Sequence, residues 1–246
     1  MAYVDLNADL GEGMLGDAAL LTVVTSANVA CGGHAGDAAT MRRTLAGAQQ
    51  HGVTVGAHPG WADPAHFGRR AMPLSAESIR TTLQTQVAAL VALGQVQGWP
   101  VKYVKLHGAL ANQVAADDAA ALAVGNLLRE VNLGWLVMPL TAMHRAALLL
   151  DVVHYCEAFA DRTYTADGHL TPRTQEGAVL HDADAIAARA LEMVRRQALP
   201  TNSGAWLAAR IDSLCVHGDT PDALDIAHAL RQRLEAERWQ VRALHW

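Results

Sequence analysis

Short apolar runs alternate with longer segments of helical periodicity along nearly the whole chain. Continuous apolar runs of this length, bounded by turn residues, are typical of buried strands. They predict seven strands, at residues 3–7, 26–31, 53–57, 101–106, 135–139, 152–159 and 214–216. Because strands that alternate with helices form parallel sheets with crossover connections, the pattern predicts an α/β fold. The length of 246 residues favours a closed or nearly closed barrel over an open doubly wound sheet.

Residues at the segment boundaries indicate where the intervening helices begin and end. Asp37 and Ser75 are suited to cap two helices, since their side chains accept hydrogen bonds from free backbone N–H groups. Gly52 and Gly98 follow the last turns of those helices. Three further helices are predicted to begin at Asp117, Asp182 and Thr220-Pro221. No linker or change in composition divides the chain, so we expect a single barrel domain over 1–246; only 238–246 have no clear assignment.

Three glycines after the first strand match the dinucleotide fingerprint G-x-G-x-x-G. They are Gly11, Gly13 and Gly16. The fingerprint needs a full helix before the next strand, whereas only residues 18–24 separate these glycines from it. Glu12 would also repel a pyrophosphate. The stretch is therefore predicted to be a flexible acidic loop.

Composition narrows the functional classes. Hydrophobic residues make up 51% of the chain, which is enough for a sizeable core, and the formal charge of −5 leaves no basic surface for nucleic acid. The three cysteines form no C-x-x-C pair, and their odd number argues against a disulfide framework, so buried thiols are expected. Neither a signal peptide nor an apolar stretch of about 20 residues is recognisable. A cytoplasmic protein that does not associate with membranes is expected.

Polar residues recur where each predicted strand ends and the next helix begins. In a parallel barrel these positions share one face, the C-terminal mouth where such enzymes keep their active sites. Neighbouring glycines and prolines let the backbone turn sharply and approach a ligand. The residues at these positions are Asp5, Asn7, His34, His58, Lys105, His107, Asp161, Arg162, His217 and Asp219.

Two chemistries fit such a mouth. Histidines and carboxylates could bind a divalent metal, most plausibly Zn²⁺, and activate water, although no H-x-x-x-H spacing supports this and separate strands would have to supply the ligands. Alternatively, a carboxylate or histidine activates water without a metal while Lys105 and His107 stabilise the developing oxyanion. Neither a P-loop nor a G-x-S-x-G nucleophile elbow is present.

Two long loops, 61–73 and 163–177, carry arginines that should lie over the same mouth. Arginine binds carboxylates and phosphates in a bidentate fork. The arginines in or beside these loops, Arg69, Arg70, Arg162 and Arg173, therefore predict an anionic substrate.

Nine sequence blocks, in this order, resemble the LamB/YcsF family. Such a series covers nearly the whole chain and is far more specific than a single motif. The blocks are DLNADLGE at 5–12, SANVAC with HAGD at 26–37, GAHPG at 56–60, FGRR at 67–70, HGAL with Asn112 at 107–112, FADRTY at 159–164, LTPR at 170–173, GAVLHD at 177–182 and CVHGDTP at 215–221.

The resemblance implies an irregular seven-stranded parallel β/α barrel, related in shape to glycoside hydrolases and sugar deacetylases. It implies opening of the lactam of 5-oxo-L-proline to L-glutamate, with ATP as co-substrate and with partner subunits B and C. Whether this chain itself binds ATP, and whether a divalent metal is required, stays open. The alternatives are a metal-dependent amide or carbohydrate deacetylase and a non-catalytic binding or regulatory subunit.

On this basis the candidate residues receive expected roles, with no metal ligand set assigned. Asp9 or Asp161 is expected to be the base and Lys105 the oxyanion stabiliser. A polar ring is expected from His34, His58, His107 and His217. The expected substrate-binding residues are Asn7, Glu12, Asn28, Arg70, Arg162, Arg173 and Asp219.

The chain departs from the family pattern at three places. The loop after Glu12 looks shorter, and Leu106 stands where the family commonly has proline. Gly33 stands where the family commonly has phenylalanine before the histidine, which is expected to remove an aromatic ring beside the site and to change substrate fit.

Overall fold

A ring of parallel strands forms the centre of the fold. The computed structural model describes residues 2–72, 74–218 and 222–246. Its strands are β1 (Tyr3–Leu10), β2 (Ser26–Ala30), β3 (Thr54–His58), β4 (Val101–Val104), β5 (Gly134–Val137), β6 (His154–Phe159), β7 (Ala198–Pro200), β8 (Trp206–Ala208), β9 (Ser213–Val216) and β10 (Gln240–Val241).

Seven of these strands close on themselves in the order β1, β2, β3, β4, β5, β6, β9 and back to β1. Asn7 of β1 is in register with Ser26 of β2 on one side and with Cys215 of β9 on the other, which closes the ring. The predicted seven-stranded parallel barrel is confirmed. Strands β7 and β8 form a separate antiparallel pair, and β10 extends the sheet beside the start of β1.

Helices surround the ring, and their capping agrees with the sequence. They are α1 (Asp17–Leu20), α2 (Ala38–His51), α3 (Ala76–Gln97), α4 (Gly108–Ala116), α5 (Asp118–Glu130), α6 (Ala142–Leu149), α7 (Ala183–Arg196) and α8 (Ala223–Ala236), with a 3₁₀ turn at Pro64–His66. The side chains of the four predicted N-caps each accept a backbone N–H: Asp37, Ser75, Asp117 and Asp182. The predicted helix start at Thr220-Pro221 lies outside the described residues. Helices α1, α4 and α6 were not predicted.

The first strand is longer than the sequence indicated. Tyr3–Leu10 is one strand, so Asp5, Asn7 and Asp9 lie within it and do not follow its end. Alternate residues of a strand point to the same face, and these three side chains are all buried, in hydrogen bonds or ion pairs with residues of neighbouring strands. The expectation that acidic and amide groups mark the strand terminus was wrong because the interior of this barrel is polar along β1.

After β1 the chain makes only the four-residue helix α1 before β2. This confirms that Gly11, Gly13 and Gly16 do not begin a dinucleotide-binding βαβ unit. Asp17 accepts the Gly11 N–H at 2.8 Å, and Glu12 is buried.

The C-terminal residues, which the sequence did not place, close the other end of the barrel. Trp246 stacks on Tyr103 with ring centroids 4.4 Å apart, and Tyr155 donates to the carbonyl of His245 at 2.8 Å. Tyr103 belongs to β4 and Tyr155 to the beginning of β6. The ring is therefore covered at its N-terminal end, which leaves the C-terminal end for a site.

The apolar core lies between the outside of the ring and the helices, and is rich in leucine, valine and alanine. All three cysteines are free and buried, as predicted. Among the described residues, no helix combines the length and the apolar character that crossing a membrane requires.

Candidate active site

A cavity of about 460 Å³ opens at the C-terminal end of the ring. Many of the predicted site residues meet here, although they come from distant parts of the chain. Its walls include Asp9, Glu12, His58, Arg69, Lys105, His107, Glu157, Arg162, Arg173 and His217.

A buried lysine lies at the floor of this cavity. Lys105 Nζ is 2.6 Å from Asp9 Oδ1, 2.9 Å from Cys215 Sγ and 3.3 Å from Glu157 Oε2. Burial opposes its charge, but Asp9, Cys215 and Glu157 hold the pKa of Lys105 well above its usual range. The ammonium group is thus a fixed positive charge at the centre of the site.

The two carboxyl groups beside Lys105 differ in charge. Burial opposes ionisation of Asp9, but His58 and Lys105 hold the pKa of Asp9 well below its usual range. Burial raises the pKa of Glu157 to about 7, and Lys105 offsets only part of this effect. Neighbouring carboxyls whose pKa values are driven apart can divide the roles of base and acid between them.

Two asparagines predicted to bind substrate lie beneath the cavity and do not line it. Asn28 Nδ2 donates to Asn7 Oδ1 at 2.7 Å and to Asp9 Oδ1 at 2.9 Å. Asn7 Nδ2 donates to Ser213 Oγ at 2.7 Å, and the Tyr103 hydroxyl donates to Asn28 Oδ1 at 2.7 Å. This network holds the Asp9 carboxylate from below, and neither Asn7 nor Asn28 is part of the cavity wall.

Three histidines and Glu12 form a buried cluster along one wall. His34 and His107 are stacked, with ring centroids 3.6 Å apart and planes 3° from parallel. His58 Nε2 lies 3.0 Å from His107 Nδ1, and His34 Nε2 lies 2.9 Å from Glu12 Oε1. One ligand atom from each of the four side chains falls within 4.8 Å of the others. Burial lowers the pKa of His34 to about 4, and burial together with the neighbouring histidines lowers the pKa of His107.

Glycines make this close packing possible. A Cβ on Gly60 would lie 2.6 Å from His34 Nδ1, and a Cβ on Gly68 would lie 2.7 Å from His34 Cβ. Phe67, in a left-handed conformation with φ 52°, aims its carbonyl at His107 Nε2 at 2.9 Å. The predicted association of glycines with the strand-end histidines therefore has a packing cause.

On the opposite wall a carboxylate orients the fourth histidine. His217 Nδ1 lies 3.0 Å from both carboxylate oxygens of Asp161. Burial opposes ionisation of Asp161, but the contact with His217 holds the pKa of Asp161 below its usual range. Asp161 itself does not line the cavity, whereas His217 does. Any effect of Asp161 on a ligand therefore passes through His217.

The arginines divide into those that reach the cavity and one that does not. Arg69, Arg162 and Arg173 line it. Arg162 is fixed there, since it donates to the carbonyls of Thr171 at 2.6 Å and Ala178 at 3.1 Å. Arg70 is not in the wall, because its Nε lies 3.2 Å from Asp63 Oδ2 on the exposed loop. Asp219 lies outside the described residues.

Gly33, where an aromatic side chain was expected to be missing beside the site, does not border the cavity. A Cβ at this position would lie 2.5 Å from Gln86 Oε1. The buried Gln86 amide accepts the Gly60 N–H at 3.2 Å and donates to the Gly60 carbonyl at 2.7 Å. The missing side chain thus gives space to an amide that fixes the turn against which His34 packs.

Glu157 is a cavity residue that sequence reasoning left out of the site. It occupies the fourth position of β6, in the run HYCEAF, and is buried. A single acid within a buried apolar strand was the available signal, because a buried carboxyl requires a charged or hydrogen-bonding partner.

Comparison with known proteins places this barrel among close relatives. Residues 4–245 match the LamB/YcsF family. The chain is 45% identical to the 5-oxoprolinase A subunit of Gluconobacter oxydans, over 98% of each chain, and 44% identical to that of Streptomyces avermitilis, over 98% of this chain and 99% of the relative. It superposes on the lactam utilization protein of Thermus thermophilus with a TM-score of 0.91 and 36% identity, covering 98% of this chain and all of the other. A family 4 carbohydrate esterase from Streptomyces lividans shares the fold at a TM-score of 0.54 and 11% identity, covering 99% and 93% of the two chains.

Proposed function

Because this chain belongs to the LamB/YcsF family, we propose that it is the A subunit of a cytoplasmic 5-oxoprolinase. The reaction opens the lactam of 5-oxo-L-proline to L-glutamate and is coupled to ATP hydrolysis, with subunits B and C as partners. The observation that carries the proposal is the composition of the cavity. The buried ammonium group of Lys105 contacts the carboxyl groups of Asp9 and Glu157, which differ in acidity, and three arginines line the same cavity.

The substrate is a small anion, and the cavity offers it matching charge. Arg162 and Arg173, which precede and lie within loop 163–177, both line the cavity. A guanidinium binds a carboxylate through two parallel hydrogen bonds. We place the substrate carboxylate at these arginines, which directs the lactam carbonyl toward Lys105 and Asp9 at the floor.

Ring opening requires water to add across the C–N bond. The hydroxyl goes to the carbonyl carbon and a proton goes to the nitrogen, which becomes the amino group of glutamate. Asp9 is the base in this proposal, since His58 and Lys105 hold its pKa well below the usual range. Glu157, with a pKa of about 7, is suited to return a proton to the leaving nitrogen, because a catalytic acid works best when its pKa lies near the operating pH.

Lys105 and His217 complete the assignment. Lys105 stabilises the negative charge that develops on the carbonyl oxygen, as expected of a fixed cation in a water-poor site. His217, held by Asp161, borders the same cavity and orients the reacting groups. A five-membered lactam is a poor electrophile, so in this proposal ATP transfers its γ-phosphoryl group to the amide oxygen and leaves as ADP. Water adds to the activated carbon, the C–N bond breaks, and a second water releases the phosphate.

The decisive experiment measures 5-oxoproline-dependent ATP hydrolysis and glutamate formation by this chain with and without subunits B and C. Turnover only in the complete mixture, with loss in Asp9→Asn, supports the proposal. Turnover by this chain alone would contradict its assignment to a multisubunit enzyme. An unaltered rate in the complex containing Asp9→Asn would show that the chain is a non-catalytic binding subunit.

A deacetylase is the second candidate, because the histidine and glutamate cluster borders the cavity. It predicts hydrolysis of N-acetylated sugars or simple amides without ATP and without partner subunits. Release of acetate from such substrates by the isolated chain, at a rate that exceeds lactam opening by the full complex, would favour this candidate.

A further inference from the structure

In the wall cluster, one ring nitrogen of His58 faces one ring nitrogen of His107. If both rings are neutral and keep their other hydrogen bonds, these two nitrogens cannot hydrogen-bond to each other. His58 Nδ1 lies 2.8 Å from the carbonyl of Lys105. His107 Nε2 lies 2.9 Å from the carbonyl of Phe67. A carbonyl oxygen only accepts, so each of these nitrogens carries a hydrogen. If both rings are neutral, the remaining nitrogens, His58 Nε2 and His107 Nδ1, are bare, yet they lie 3.0 Å apart.

Two lone pairs at this distance repel each other unless a cation lies between or beside them. Glu12 supplies a third electron-pair donor beside them. Its Oε1 is 3.4 Å from His107 Nδ1 and 3.8 Å from His58 Nε2. Nitrogen and oxygen ligands about 2.0–2.1 Å from a tetrahedral Zn²⁺ lie about 3.4 Å from one another. The three observed separations bracket that value.

The outer hydrogen bonds of both rings also match a metal site. Histidines that bind metals through one nitrogen almost always donate the other N–H to a carbonyl or carboxylate, which fixes the tautomer. His58 and His107 both do so, toward the backbone of Lys105 and Phe67.

His34 has a different part in the cluster. Its Nδ1 is buried against Gly60 and has no hydrogen-bond partner among the described residues. A bare nitrogen is cheaper to bury there than an unpaired N–H group. The hydrogen therefore lies on Nε2, which donates to Glu12 Oε1 at 2.9 Å. His34 orients the Glu12 carboxylate and is a positioning residue.

We propose that His58 Nε2, His107 Nδ1 and Glu12 Oε1 bind a divalent transition metal, with Zn²⁺ the best match for two imidazoles and one carboxylate. All three side chains line the cavity, whereas His34 does not. Three protein ligands with one position open to a cavity are typical of a reactive metal centre. The inference concerns metal binding by the folded chain and does not depend on the lactam reaction.

The test starts from the chain treated with a chelator and then dialysed. One equivalent of Zn²⁺ per chain should bind, measured by plasma mass spectrometry after gel filtration. Co²⁺ should give the visible absorption of a four-coordinate site. Zn²⁺ should also raise the midpoint of thermal unfolding, since a ligand that binds only the folded state stabilises it.

Variants locate the site. His107→Gln should abolish the Co²⁺ absorption, and His34→Gln should retain it with an affinity weaker by about 10- to 100-fold. The matched control is His217→Gln, on the opposite cavity wall, which should bind one full equivalent. Far-UV circular dichroism verifies that each variant is folded.

The alternative to a metal ion between the two rings is a proton. It would make His58 an imidazolium, paired with Asp9, whose Oδ2 is 3.4 Å from His58 Nε2. A wild-type chain with native circular dichroism that takes up no Zn²⁺ or Co²⁺ would establish that occupant and overturn the proposal. Unchanged metal binding by folded His107→Gln would also overturn it. Neither result depends on 5-oxoprolinase activity, so failure of the metal site is distinguishable from failure of the proposed function.

Discussion

Lys105 Nζ lies 2.6 Å from Asp9 Oδ1, and both side chains are buried at the floor of the cavity. A buried ion pair contributes little net stability compared with an apolar pair, but removing one partner leaves the other charge uncompensated. Lys105 also contacts Glu157 and Cys215. This one ammonium group therefore favours the ionised form of both carboxyl groups, Asp9 and Glu157, and also contributes to the stability of the folded protein.

Replacement of Lys105 by methionine, which has a similar volume, should lower the free energy of unfolding by about 3–5 kcal/mol. Asp9 would then be a buried charge without its closest partner. Urea unfolding measures the loss. Lys102→Met, at the exposed position of β4 just before Lys105, is the control and should change the value by less than about 0.5 kcal/mol. Adding Asp9→Asn to Lys105→Met should recover part of the stability but no activity; full additivity of the two losses would contradict the ion-pair account.

Glu157 should make stability depend on pH. Its pKa in the folded state is about 7, against 4.5 as the ordinary value. Between these two pH values the Glu157 carboxyl keeps its proton in the folded protein but has lost it in the unfolded chain. The contribution of Glu157 to the free energy of unfolding is therefore fully present below pH 4.5 and is lost as pH rises to about 7. The free energy of unfolding of Glu157→Gln, relative to wild type, should rise by about 3 kcal/mol across this window.

Urea unfolding at about pH 4 and about pH 8 measures this difference. The control Glu77→Gln, exposed on α3, should follow the wild-type profile. Parallel profiles for wild type and Glu157→Gln would show that the Glu157 carboxyl is not buried in the manner described.

Asp161→Asn should lower kcat of the reconstituted complex by about 100-fold with little change in KM for 5-oxoproline. The amide cannot hold the His217 ring as the carboxylate does, while the cavity keeps its arginines. Since the pKa of Asp161 is lowered in the folded protein, its contribution to stability is present above the ordinary pKa and is lost as pH falls. Steady-state kinetics measure this effect, with Asp225→Asn, at an exposed position on α8, as the control. Equal kcat values in the two variants would show that His217 has no part in the mechanism.

Arg173→Gln should raise KM for 5-oxoproline by roughly 10- to 100-fold, the cost of one charged hydrogen bond. Arg70→Gln should change KM by less than about twofold, because Arg70 pairs with Asp63 outside the cavity wall. The comparison is sharp, since both arginines were expected at the mouth from sequence. A larger effect at Arg70 than at Arg173 would mean that the loop containing Arg70 rearranges over the substrate.

The strands and most helices could be predicted because each is specified locally. Capping residues such as Asp37 and apolar runs such as 26–31 act over a few positions, and the strand positions agree within a few residues. The extension of β1 through Asp9 was missed, since an acid in a strand usually signals its end. Here Asn28 of β2 and Lys105, which directly follows β4, make that acid an interior residue.

The partners within the site could not be predicted because they depend on the closure of the ring. His58 and His107 are 49 positions apart, and His34 and Glu12 are 22 apart. No local spacing indicates that these side chains meet, which is why sequence motifs gave no metal ligand set. Arg70 illustrates the reverse case, since it was expected at the mouth but pairs with Asp63, only seven positions before it.

Strand β10 has a consequence for chain connectivity. It pairs with the start of β1, with Gln240 in register with Tyr3, so the two terminal regions lie side by side. A circular permutant could join them with a short linker and open the chain at Asn132, an exposed turn residue before β5. That turn lies at the end of the ring opposite the cavity. The permutant should keep the same strand neighbours and the same cavity lining, which would show that ring closure, and not the order of synthesis, defines this protein.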